Sequence, residues 1–73
     1  MHALFHRDHD GREQVTLHAS RDLARAELLA RLRLDWPATL GERPTDDDDI
    51  ITTYFAAPPA IYAIVAVRIT PER

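Results

Sequence analysis

The 73-residue chain has no cysteine and no lysine, and it holds only two glycines and one serine. Without cysteine there is no disulfide framework, no thiolate metal site and no cysteine nucleophile. Gly11 and Gly41 stand alone, so no glycine-rich loop can cradle a phosphate. Long apolar runs are missing too. The longest, AAPPAIYAIVAV from Ala56 to Val67, is broken by two prolines and falls far short of a membrane span. The N-terminal MHALFHRDHD turns charged too early for a secretory signal. These absences predict one soluble domain with a cytoplasmic home and no membrane partner. A domain this small buries only about 60% of its unfolded surface, so its stability should be a few kcal/mol.

What charge there is lies unevenly. All nine basic residues are arginine, and the chain carries a net charge of −3. Residues 1–34 hold six arginines against five acids, whereas residues 35–73 hold three against seven. The run Asp46 to Asp49 alone turns a nearly neutral chain acidic. Direct binding of nucleic acid is not suggested by that balance. Arg21, Arg25, Arg31 and Arg33 spread around their helix instead of forming a stripe, and Glu27 is placed to pair with Arg31.

ALFHRDHDGREQVTLHA reads as a β-hairpin turning at Asp10-Gly11. A two-residue type I′ loop there sets His6 opposite Val15, Phe5 opposite Thr16 and Leu4 opposite Leu17. One face then carries Leu4, His6, Val15, Leu17 and Ala19, and the other Ala3, Phe5, Arg7, Gln14, Thr16 and His18. SRDLARAELLARLRLDW predicts a helix of about 15 residues, with Ser20 as N-cap and Asp22 in the first turn. Ala24, Leu28, Leu29, Leu32 and Trp36 form one stripe, and Leu23 and Leu34 lie nearly opposite. A helix apolar on two sides sits between layers or meets another chain. TDDDDIITTYFAA fits a helix capped by Thr45 with Asp48 at N3, and IITTYF also has high β propensity. The continuous arc of Ile50, Ile51, Tyr54 and Phe55, with acids at the positive end, favours the helix.

AIYAIVAVRIT, residues 60–70, predicts the last strand, with Ile61, Ala63, Val65, Val67 and Ile69 on a wholly apolar face. PER is a tail. The expected fold is α+β, ββα(α)β, a three-stranded antiparallel sheet of order 2-1-3 with the helices on one face. The other face should show Phe5, Arg7, Thr16 and His18 with part of the mixed third-strand face. Phe5 and Arg7 on an open sheet make a plausible contact surface, unless the Trp36 connector or the tail covers Phe5.

HRDHDG, His6 to Gly11, invites three motif readings. His-Arg-Asp matches the start of a kinase catalytic loop, but 73 residues cannot hold a kinase. Asp8-x-Asp10-Gly11 matches part of a calcium loop but lacks the flanking helices and bidentate glutamate. His2, His6, Asp8, His9 and Asp10 could bind zinc or nickel, yet a hairpin puts His9 on the face opposite His2 and His6. Turn chemistry is the simpler account, and no metal or other cofactor is expected. No nucleophile with a base, nor an acid/base pair, can be assembled, so the chain is not expected to be an enzyme.

The aspartates have more than one use. One or two suffice to answer a helix dipole, at roughly 0.3–1 kcal/mol each. Four in a row repel one another, and on a helix they fan out instead of converging on a cation. The surplus suits recognition of a basic surface such as a groove built for a nucleic-acid backbone. In size, composition and the Asp46 to Asp49 strip, the chain resembles the small anti-CRISPR proteins of phages and mobile elements. That resemblance implies a non-enzymatic inhibitor that mimics DNA and blocks a CRISPR effector complex, with the multisubunit type I complexes as a candidate target. Its partner-binding residues would be Asp46, Asp47, Asp48 and Asp49, supported by Glu42 and by Phe5 and Arg7 on the sheet. The competing expectation is a small assembly domain that homodimerises through the sheet face or the Leu23/Leu34 side of the helix.

Overall fold

The computed structural model describes residues 1–68. Strands β1 (His2–Arg7), β2 (Glu13–His18) and β3 (Ile61–Ala66) form one antiparallel sheet in the order β2-β1-β3. Helices α1 (Arg21–Leu34) and α2 (Asp47–Tyr54) lie between β2 and β3 in the chain. The expected α+β class and the 2-1-3 strand order are both present. Ile69, Thr70 and the PER tail fall outside the described residues.

The hairpin differs from the expected one by a single residue. Phe5 pairs with Val15, Leu4 with Thr16 and Arg7 with Glu13. Asp8 N donates to Arg12 O at 3.0 Å, and Gly11 N donates to Asp8 O at 3.0 Å. The loop is therefore His9-Asp10-Gly11, a three-residue connection in which only Gly11 takes positive φ, at 83°. A type I′ turn would have needed Asp10 in the left-handed region as well. Instead, Asp8 Oδ1 accepts from the backbone N–H of Asp10 and Arg12, both at 2.9 Å, and stabilises the wider turn.

A one-residue slip exchanges the faces of a whole strand. Val15 and Leu17 accordingly leave the helix side, and Gln14, Thr16 and His18 take their place. β3 is turned over relative to expectation as well. Leu4 pairs with Ile64 and His6 with Tyr62, so the mixed face of β3 looks at the helices. The Tyr62 ring packs on Phe55 with centroids 4.8 Å apart, which gives that mixed face a reason to point inward. The wholly apolar face, Ile61, Ala63 and Val65, looks away from them.

α1 forms as its sequence suggests. Ser20 is extended at φ −143°, and its Oγ accepts from Leu23 N at 3.1 Å. Ala24, Leu28, Leu29 and Leu32 are buried and Trp36 packs on the edge of the core, while Leu23 and Leu34 stay exposed. The connector holds a short 3-10 turn, Ala38–Leu40, tied down by Trp36 Nε1 donating to Gly41 O at 3.0 Å. Leu4, Leu28, Leu32 and Ile50 are the largest fully buried side chains. Truncating any of them to alanine costs about 2–5 kcal/mol, comparable with the whole stability of so small a domain.

α2 is a helix, but its cap is Asp46 and not Thr45. Asp46 Oδ2 accepts from Asp49 N at 3.2 Å, and Asp47, Asp48 and Asp49 form the first turn. Starting one residue later still turns Ile50, Ile51 and Tyr54 into the core. Asp46→Ala should therefore cost about 1 kcal/mol, whereas Thr45→Ala should be nearly neutral. Urea titrations of the two variants decide it, and equal losses would place the cap elsewhere.

Candidate functional site

The side of the sheet away from the helices is open among the described residues, and it is almost wholly apolar. The registers lay its side chains out in rows across β2, β1 and β3: Glu13, Arg7 and Ile61, then Val15, Phe5 and Ala63, then Leu17, Ala3 and Val65. Val15 is 65% exposed, Leu17 59%, Val65 52% and Ile61 45%, values typical of side chains in water and not of a covered layer. At the one charged corner Arg7 Nη2 reaches Glu13 Oε2 at 2.5 Å, and the guanidinium lies 5.9 Å from the Phe5 ring centroid. The pair is internally neutral, so among the described residues the face carries no net charge. Contiguous apolar surface of this kind marks contact sites in soluble domains.

Phe5 and Arg7 thus lie together where the sequence placed them, on the open sheet. Val15, Leu17, Ile61 and Val65 were missed as members of that surface. Their alternation was visible, but alternation alone leaves two choices of face; the turn length decides for β2, and the packing of Tyr62 on Phe55 favours the one β3 takes.

The aspartates lie on the other side of the sheet, at the start of α2, and do not share a surface with Phe5. Their charge is partly answered within the chain. Asp46 caps the helix, Asp47 pairs with Arg33, and Asp48 Oδ1 sits 2.5 Å from Arg25 Nη2. Arg25 and Arg33 are two turns apart on α1, so the acids stitch α2 onto α1. These pairs are exposed at the surface, and the Asp48 side chain remains 85% accessible, so each contributes at most about 1 kcal/mol. Asp49 and Glu42 are exposed and make no ion pair among the described residues.

The HRDHDG segment is taken up largely with holding the loop. Besides the Asp8 contacts, His9 Nε2 donates to the Tyr54 carbonyl at 2.8 Å and ties the hairpin tip to the end of α2. Among the described residues no three His, Asp or Glu side chains are grouped as a metal set. Thr16 Oγ1 and His18 Nε2 lie 2.7 Å apart, neighbours on the helix-facing side of β2 that satisfy each other.

His6 is different. It is 9% exposed, and neither ring nitrogen has a hydrogen-bond partner. Its ring lies between Tyr54 and Phe55, at centroid distances of 6.2 and 6.0 Å. Beside it is a cavity of about 160 Å³ lined also by Asp8, Gln14, Arg31 and Tyr54. Arg31 bridges α1 to β2 there, with Nε donating to Glu27 at 2.6 Å and Nη1 donating to the Gln14 side chain. Burial holds the His6 pKa below its usual 6.5; Asp8 opposes this and Arg31 reinforces it. Burial likewise raises the Tyr54 phenol above its usual value, with Asp8 adding to the effect.

No family model, curated protein or solved structure matches the chain. No helix among the described residues is long and apolar enough to cross a membrane.

Because its folded-state pKa is depressed, His6 binds a proton more readily in the unfolded chain. Its contribution to stability is complete above about pH 6.5 and is lost as pH falls below that value. His6→Leu should shrink the loss of stability between neutral and acidic pH. It should also stabilise the neutral form by about 1–3 kcal/mol, since two buried nitrogens without partners disappear. Urea titrations at both pH values test this, and an undiminished pH dependence in the variant would contradict it.

Proposed function

We propose that this chain is a non-enzymatic protein-interaction module whose working surface is the open face of its sheet. The observation that carries the reading is the unbroken apolar field of Phe5, Val15, Leu17, Ile61, Ala63 and Val65, neutral even at its one charged corner. A domain with so small a core gains nothing for its own stability by exposing four large apolar side chains around a half-buried Phe5, and such a surface risks aggregation. Covering it in a complex removes that liability and supplies the driving force for association. The folded chain, at dilute concentration, should bind a hydrophobic fluorescent dye. Val15→Lys/Leu17→Lys should reduce that binding several-fold without changing the far-UV circular dichroism. A folded native chain that leaves the dye dark would refute the reading.

A second reading keeps the acidic strip as an inhibitor's contact. Asp46, Asp48 and Asp49 are exposed on one turn with Glu42 exposed upstream, and two of the strip's four charges already meet arginines. In this reading the chain is a phage or mobile-element inhibitor of the anti-CRISPR kind, occupying the basic nucleic-acid groove of a CRISPR effector complex. Added to a purified type I effector, it should block DNA binding, and Asp48→Asn/Asp49→Asn should relieve the block. Unimpaired DNA binding with excess native chain would remove this reading.

A further inference from the structure

The occupant of the open face can be argued from the layout of its side chains. This step rests on the reading of that face as a contact surface. On the central strand a large residue stands next to a small one: Phe5 projects from the middle row, and Ala3 leaves a hollow in the next. The outer columns show no second aromatic, and Ala63 widens the hollow beside Phe5. A two-fold axis running across the strands, between the Phe5 row and the Ala3 row, would set each Phe5 over the other copy's Ala3. The same operation would set Ala63 over Val65, again small against large, and Val15 over Leu17, two branched aliphatic side chains in contact. The Arg7–Glu13 pair would fall at the two ends of the contact, facing the Met1 and Val67 end of the other sheet. There it stays hydrated and paired within its own chain, at 2.5 Å.

Charge points the same way. A surface with a single internally closed ion pair offers nothing for a basic or acidic partner to read, and it does not repel its own copy. This matters in a chain whose net charge is −3, because a neutral face adds nothing to the repulsion between two copies. We infer that the open face binds a second copy of this chain, sheet against sheet, with Phe5 of each copy seated on Ala3 of the other. The stacked sheets would lie about 10 Å apart with strands nearly aligned.

The size of the face sets the strength. Three strands of six residues span roughly 15 by 20 Å at ordinary strand spacing and rise. Two such faces bury less than the roughly 1,200–2,000 Å² of a standard stable complex. The dimer should therefore be reversible, forming and dissociating with concentration.

Sedimentation velocity between about 1 μM and 1 mM, a span of dissociation constants accessible to weak pairs, tests this. The weight-average mass of the full chain should rise from 8.3 kDa towards twice that value. Phe5→Glu, which places a charge at the knob, and Ala3→Phe, which fills the hollow, should each raise the dissociation constant at least about tenfold. Leu34→Glu, on the outer side of α1, should leave it unchanged. Circular dichroism confirms that each variant folds, and Val15→Lys, at an exposed position, serves if either central variant does not. Mass unchanged over the whole range, or a dimer that survives Phe5→Glu or is abolished by Leu34→Glu, would overturn the inference. If the chain stays monomeric but still binds dye through Val15 and Leu17, self-pairing fails and the contact surface stands. A monomer that binds no dye overturns both.

Discussion

Asp8 and Gly11 hold the hairpin loop open by one residue, and the inside and outside of β2 follow from that. The Asp8 carboxylate takes two backbone N–H groups, and Gly11 accepts the left-handed conformation that closes the connection. The resulting register sends Thr16 toward the helices beside Leu4, and Val15 and Leu17 away from them beside Phe5 and Ala3. With one residue fewer in the loop, β2 would have buried Val15 and Leu17, and the open face would have been polar on that side. The character of the outer surface is thus decided in a turn at the edge of the domain, through the period of two in a strand.

The second organising feature is the way the acids are used. A run of four aspartates looks like a single block of charge, but the fold divides it. Asp46 goes to the helix terminus, Asp47 and Asp48 turn to arginines on α1, and Asp49 faces water. The repulsion that made four adjacent acids seem excessive is relieved by Arg25 and Arg33, which are spaced on α1 to meet them. In this arrangement the strip positions α2, and α2 in turn delivers Ile50, Ile51 and Tyr54 to the core. His6 lies under the same layer, a polar ring in a mostly apolar site, so the side of the sheet with the helices carries the chemical tension while the open side carries the apolar surface.

Much of the architecture was legible beforehand because it rests on local rules. Ser20 before an Ala- and Leu-rich run, with stripes at helical spacing, specifies α1. Asp residues ahead of Ile50 and Ile51 favour a helix there and mark its start to within one residue, since Thr45 and Asp46 are both good caps. Phe5 and Arg7 were legible as open-face residues because β1 is the central strand and its parity follows from Leu4. Their neighbours were not: Val15 and Leu17 look like core residues in any pattern analysis, and nothing local marks which face of β3 turns inward.

By itself, then, the sequence determined α1, the three strands, their order and the antiparallel sheet, favoured a helix over a strand for α2, and excluded thiol chemistry within these residues. Propensity, capping and alternation act over a few residues, and those interactions are written in consecutive positions. Only the tertiary structure decided which apolar residues are buried, which aspartates are neutralised and where an unsatisfied histidine sits. Those outcomes depend on register and on pairs far apart in the chain, Arg25 with Asp48 and His6 with Tyr62 among them. A shift of one residue in a loop costs little locally, yet it exchanges the inside and the outside of a strand.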